Sequence, residues 1–269
     1  MRNLLWWLIM CLVAVTVLIV GCKKSATDSE EEDLNVLVVS NYAVVNAYID
    51  TNFTKNIDGI KISVKDVAED TLAEQDLKGF DVVLLFEDGN FGNSQKVGNM
   101  IYKYVMAGGN VVIGTFYWQD GWGNLEMIVP LYGESCRYQV DSLGSTIEHS
   151  LTKGVNYVRS YYRGGPNTLR ENATAVAWWS NEDVFMAFNK PKGTITMVTT
   201  YPGENYFYET RGLPPDSVGG DFYRVWNNAL KWTARNTIPS QPLGKSTPIQ
   251  LQGVSRTKAI RENARTGTE

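Results

Sequence analysis

The sequence predicts a doubly wound α/β domain: a mostly parallel sheet with helices on both faces. Three observations predict it. Short β-branched runs that are apolar on both faces recur along the chain, as buried parallel strands require. Helical patterns separate them and are long enough to return the chain to the same edge of a sheet. The alternation fills one stretch from Leu34 to about Asn236, roughly 200 residues, which suits one domain with a full core.

Taken in order, the first strand is predicted over Leu34 to Ser40 (LNVLVVS) and the first helix over Tyr42 to Phe53. A strand follows at Gly59 to Val67, then another at Phe80 to Phe86 (FDVVLLF). The second helix spans Asn93 to Ala107 and is closed by Gly108 and Gly109, since glycine takes the left-handed conformation that ends helices. Further strands are predicted at Asn110 to Thr115, Ala173 to Trp179 and Gly193 to Thr200, and a closing helix at Phe222 to Ala234. The segment between Trp118 and Thr174 breaks this rhythm. It is rich in Gly, Tyr and Trp, and it is expected to be an elaborated insertion over one end of the sheet.

The two ends of the chain read differently. Residues 1–21 carry one charge at Arg2, a long apolar run from Leu4 to Val20 and then Gly21 before Cys22, the pattern of an export signal. Leu18-Ile19-Val20-Gly21-Cys22 resembles a bacterial lipobox, which implies cleavage before Cys22 and a diacylglyceryl or palmitoyl anchor on its thiol. A transmembrane anchor is the alternative, because about 20 apolar residues span a bilayer. Residues 22–33 (CKKSATDSEEED) read as a polar tether, and residues 237–269 as a disordered tail. Without Arg2 the mature chain has 24 basic and 29 acidic residues, so no basic balance argues for nucleic acid. Of three cysteines, Cys11 leaves with the signal and Cys22 is committed to lipid; Cys136 then stands alone and no disulfide framework is expected.

Four segments in order resemble the class I glutamine amidotransferase-like superfamily, in particular its trehalose-utilisation-like relatives. They are Phe80 to Gly89 (FDVVLLFEDG), Tyr104 to Gln119 (YVMAGGNVVIGTFYWQ), Glu148 to Val155 (EHSLTKGV) and Asp221 to Trp232 (DFYRVWNNALKW). The resemblance implies a flavodoxin-like sheet and, in active members, a Cys on a sharp turn after a strand with a His and a Glu after a later one. In this chain Phe116 stands at the Cys position and Tyr201 at the His position, and Glu204 is displaced by Gly203 from the place of the Glu. The resemblance therefore implies a catalytically degenerate member, not an enzyme of that type.

Other residues carry chemistry of their own. Glu87 and Asp88 follow a core strand at the end where doubly wound sheets bind ligands, but neighbours on an extended segment point opposite ways and make a poor acid/base pair. His149, the sole histidine, fits a loop-stabilising hydrogen bond better than a ligand contact or a metal site. Phe116, Tyr117, Trp118 and Trp122 follow one core strand, and Tyr201, Glu204, Tyr206, Phe207 and Tyr208 another. Aromatic faces beside carboxylates hold sugars and flat polar ligands, while packing of the insertion is the plainer alternative. The expectation is a non-catalytic, lipid-anchored protein of the cell envelope, at the outer membrane where one exists, with a carbohydrate or an envelope protein as partner. Its ligand-binding candidates are Glu87, Asp88, Phe116, Trp118, His149, Tyr201, Glu204 and Tyr206. No metal, cofactor or nucleic acid is called for. A carboxylate-dependent hydrolase using Glu87, Asp88, Asp120 or Glu204, and a purely structural lipoprotein, stand as alternatives.

Overall fold

The computed structural model describes residues 32–235 apart from 90, 134–135 and 214–217. The signal, Cys22, most of the tether and the C-terminal tail lie outside the described residues. At the centre of the fold five strands run parallel in the order β2-β1-β3-β4-β11: β1 (Leu34–Ser40), β2 (Ile60–Asp66), β3 (Val82–Leu85), β4 (Val111–Gly114) and β11 (Ile195–Val198). This is the flavodoxin-like arrangement the sequence predicts. The helices are α1 (Ala43–Asn56), α2 (Ser94–Met106), α3 (Glu204–Arg211) and α4 (Phe222–Arg235).

The strands read as apolar throughout because both faces are covered. Val36, Val38, Val82, Leu84 and Val112 pack with Ile49 and Phe53 of α1 and with Val225, Trp226 and Leu230 of α4. Leu37, Val39, Val83, Leu85, Val111 and Ile113 share the opposite core with Val97, Ile101 and Val105 of α2. Gly98 of α2 permits the closest approach there: a Cβ at this position would stand 2.0 Å from the carbonyl oxygen of Trp122. Gly108 closes α2 as expected, at φ +102°.

The segment from Trp118 to Thr174 corrects one expectation. Instead of lying over one end of the sheet, it lengthens it. Strands β6 (Cys136–Thr146) and β7 (Val158–Gly164) join β9 (Thr174–Trp179), β10 (Val184–Asn189) and the short β12 (Gly219–Gly220) in an antiparallel extension, β12-β7-β6-β9-β10, which meets the parallel half at β11. Strands β5 (Leu131–Gly133) and β8 (Asn167–Leu169) pair separately. A buried Arg163 on β7 fastens the extension, at 3.0 Å from Asp141 of β6 and 2.9 Å from Asp183 in the turn before β10.

Candidate functional site

The site lies where β1, β3, β4 and β11 end, the edge at which a doubly wound sheet presents loops. After β1 comes Asn41, whose side-chain oxygen accepts from the Asp88 backbone N–H at 2.9 Å. After β3 come Glu87 and Asp88, and Gly89 turns the chain at φ +79°. Phe116 follows β4 and Tyr201 follows β11, so the two positions that the resemblance marks for nucleophile and base do converge. Their rings lie 5.0 Å apart, centroid to centroid, and both are buried.

Around them the crevice is filled with aromatic rings. Tyr201 stacks on Phe207 of α3 at 5.5 Å and meets Phe86 edge-on at 5.6 Å. Phe116 meets Tyr162 of β7 edge-on at 5.6 Å and lies under Tyr138 of β6 at 5.9 Å. Phe116 and Tyr201 are therefore packing residues and present no face to a ligand, which corrects their candidacy as contacts. Tyr138 caps this stack and is 59% exposed.

Asp88 stands at the rim of the stack. The Tyr201 hydroxyl donates to its carboxylate at 3.3 Å. Burial raises the Asp88 pKa, and the Tyr201 hydrogen bond and the positive charge of Arg211 oppose the rise. Burial, then the charge of Asp88, holds the Tyr201 phenol well above the usual tyrosine range, so it is a donor and not a base. Arg211, on the last turn of α3, lies over the Phe207 ring at 4.0 Å and donates to the Tyr42 hydroxyl at 3.4 Å. Tyr42, Asp88, Tyr138 and Arg211 thus rim one aromatic floor. Only Asp88 of these four was singled out from sequence; Arg211 and Tyr138 lie on elements that periodicity did not reveal.

Glu87 points the other way from Asp88, as the alternation of an extended segment requires. It is fully buried, and one carboxylate oxygen accepts the Gln119 backbone N–H at 3.0 Å. Its other oxygen has no hydrogen-bond partner. Burial, and then the charge of Asp120, pushes its pKa up to about 9, so it is a neutral acid at pH 7. Cys136 lies close enough to feel Glu87. Burial and that neighbour push its thiol up to about 12, which leaves it without nucleophilic thiolate at neutral pH.

The remaining candidates separate from the rim. Glu204 is fully buried and is not a ligand contact: its carboxylate accepts from Ser160 Oγ at 2.6 Å, Thr200 Oγ1 at 2.9 Å, the Tyr162 N–H at 3.0 Å and the Tyr161 N–H. It straps α3 to the irregular stretch of β7. Tyr206 packs edge-on against Tyr48 of α1 at 5.5 Å. Trp118 turns to the other face of the sheet, its ring held by Gly133 and Gly164, at which a Cβ would come within 3.1 Å and 2.1 Å of the indole. Trp122 is wholly buried in that second core.

His149 lies at the opposite end, beside Phe188 near the start of β11 and Trp232 near the end of α4. Its Nδ1 accepts from the Leu151 N–H at 3.1 Å, the loop-stabilising role expected of it. Burial, and then the charge of Lys190, lowers its pKa. Among the described residues no group of three or more His, Cys, Asp or Glu is placed to hold a metal.

No family model matches the sequence, and no curated protein matches it. Solved structures do resemble it. A cytoplasmic protein of Salmonella typhimurium shares 12% identity with a TM-score of 0.55, covering 74% of this chain and 99% of its own. A protein of Bacteroides uniformis described as ThuA-like shares 13% with a TM-score of 0.54, over 79% of this chain and 96% of its own. A glutamine amidotransferase of Thermotoga maritima shares 10% with a TM-score of 0.53, over 76% of this chain and 99% of its own. At such identities the likeness is one of architecture, and it agrees with the strand order: this chain has the α/β fold of the glutamine amidotransferase-like proteins.

Proposed function

We propose that the chain is a non-catalytic binding or interaction lipoprotein of the cell envelope, anchored through lipid on Cys22. The observation that carries the non-catalytic reading is the buried contact of Phe116 with Tyr201 at 5.0 Å. A phenylalanine and an un-ionised phenol fill the places that nucleophile and base would need, and the one nearby thiol is held at about 12. The anchor rests on the Leu18 to Cys22 pattern, and Lys23 after the cysteine suits the outer membrane where there is one.

The binding surface in this reading is the rim of Tyr42, Asp88, Tyr138 and Arg211. An exposed ring flanked by a carboxylate and a guanidinium suits a sugar or a polar protein loop, joining apolar contact to a few directed hydrogen bonds. A screen of the full chain against glycans and envelope proteins tests it, with Tyr138→Ala and Arg211→Ala beside the wild type. Each variant should weaken the captured ligand by about 1 to 3 kcal/mol and leave the fold intact, because both side chains are exposed. A ligand that binds both variants like the wild type would place the interaction elsewhere.

One observation favours a hydrolase as the second reading. Glu87, neutral with a pKa of about 9, sits within the electrostatic reach of Asp120, and a protonated acid beside a carboxylate is the pair that glycoside hydrolysis uses. Against it, Glu87 is sealed from solvent. Turnover of chromogenic glycosides that is lost in both Glu87→Gln and Asp120→Asn would reverse the order of the two readings.

A further inference from the structure

The strands of the parallel half all start at one edge of the sheet, and α1, α2 and α4 run back to end there. The aromatic rim lies at the other edge, a strand length away: the seven residues of β1 span about 23 Å. Exposed lysines gather at the starting edge. Lys55 and Lys103 lie in the last turns of α1 and α2, Lys61 at the start of β2, Lys78 before β3 and Lys192 before β11. Of the carboxylates there, Asp33 pairs with Lys61 at 3.4 Å, Glu74 pairs with Lys78 at 3.7 Å, Asp81 accepts the Asn35 N–H at 2.8 Å, and Asp58 is exposed. The rim's edge has the opposite bias, with Asp66, Glu69, Asp70, Asp88, Asp120 and Glu209 against Lys65, Lys96 and Arg211. The tether carries both signs, Lys23 and Lys24 beside the lipid and Glu30 to Glu32 beside the domain. What orients the domain in a field is the difference between its two edges.

The same edge exposes apolar surface among its lysines. Lys78 and Lys103 rim a groove of about 620 Å³ lined by Leu77, Phe80, Met100 and Tyr104. Further along, Lys190 lies over the Trp232 ring at 4.8 Å and over the Phe188 ring at 5.7 Å. Phe80, Met100, Tyr104, Phe188 and Trp232 are each half-buried, so part of every one meets solvent. Half-exposed rings beside lysine stems are the combination met at a membrane–water boundary, where the ring sits among head groups and the ammonium reaches phosphate.

We propose that this starting edge docks on a bilayer surface carrying anionic phospholipid head groups, which turns the aromatic rim away from the membrane. The inference rests on the lipid anchor at Cys22. The chain enters the fold at this edge, at Leu34, after residues 22–33. A polar tether of that length averages about 20 Å end to end and cannot exceed about 43 Å. It therefore holds the starting edge near the lipid, whereas bringing the rim there needs a tether drawn almost straight along the flank of the domain. Lysines within about 8 Å of the surface are attracted at physiological salt. The carboxylates of the rim's edge are repelled by the same field, so docking has one sense. A partner in the surrounding solution then meets the rim unobstructed.

Acetylation of lysine amines tests it. The full chain, purified from membranes, is placed in vesicles of phosphatidylcholine with and without about 30% phosphatidylglycerol, and each lysine is read by mass spectrometry against protein in neutral detergent. On the phosphatidylglycerol vesicles Lys61, Lys78, Lys103 and Lys192 should react about threefold to fivefold more slowly than in detergent and regain their rates in about 1 M salt. Lys65 and Lys96, at the rim's edge, should not change. Lys103→Gln with Lys192→Gln should about halve the protection of Lys61 and Lys78 and leave thermal unfolding as it was, since both side chains are exposed. Equal protection on the two kinds of vesicle, protection on neither, or slowing of Lys65 and Lys96 instead would each overturn the proposal. Protein that associates with neither vesicle would remove the Cys22 anchor as well, whereas anchored protein with unprotected lysines would remove the docking face alone.

Discussion

Glu87 and Glu204 are both buried carboxyls, yet their surroundings give them different work. Glu204 receives four hydrogen bonds and its pKa, raised by burial and lowered by those donors, is about 7. Glu204→Ala should cost about 2 to 4 kcal/mol in denaturant unfolding, because it strands two backbone donors of β7; a loss under about 1 kcal/mol would mean the strap is dispensable. Glu87 accepts one and titrates near 9, against an ordinary 4.5. The folded state therefore holds that proton more tightly than the unfolded chain does. Its contribution to stability is whole below about 4.5 and is lost as pH rises through about 9, with a slope of up to about 1.4 kcal/mol per pH unit. Glu87→Gln keeps the neutral form at every pH, so its stability should decline less than that of the wild type between pH 5 and 9; urea midpoints across that range measure it, and parallel curves would assign the titration to another group. The opposed directions of Glu87 and Asp88 were legible in the sequence, since alternation dictates them. The role of Glu204 was not, because its donors on β7 lie about forty residues away and only the fold brings them near.

The parallel strands and three of the four helices were legible as elements because covering both faces of a sheet leaves a signature in composition that needs no knowledge of neighbours. Of the antiparallel extension only β9 was, as the strand predicted over Ala173 to Trp179. Strand β6 (CRYQVDSLGST) is mixed in polarity and only partly buried along its length, with a shift of register against β7 between Tyr138 and Asp141, so no period of two survives. Helix α3 was missed for a related reason: its eight residues (ENYFYETR) bury only Glu204 and Phe207, too few to show a stripe. What holds the extension is the charge cluster of Arg163 with Asp141 and Asp183. Removing the guanidinium in Arg163→Met leaves two acidic groups facing each other with little solvent, so a loss of about 3 to 5 kcal/mol is expected. Unfolding followed by tryptophan fluorescence checks it, because Trp179 lies 6.0 Å from that guanidinium; a near-neutral result would mean that strand pairing alone carries the extension. On the other face, Gly98→Ala should cost about 1 to 3 kcal/mol by driving α2 from the Trp122 carbonyl.

At the scale of the whole molecule, the proposed function joins an amidotransferase-like fold, lacking that family's reaction, to a membrane anchor. Labelling with a fatty-acid analogue should mark the wild type and not Cys22→Ser, which should persist as uncleaved precursor; equal labelling of the two would remove the anchor. The proposed loss of chemistry is the more central of the two, and it reaches beyond two side chains. Phe116→Cys with Tyr201→His would restore both residue types, but Glu204 is bound to β7 and cannot turn to orient the new imidazole. A misplacement of about 1 Å costs on the order of a hundredfold in rate. The most direct measurement is therefore ammonia release from L-glutamine and from a peptide amide by the wild-type protein and by this double variant. No release above the buffer blank is expected from the wild type and at most a trace from the variant; protein-dependent turnover by the wild type would contradict the non-catalytic reading.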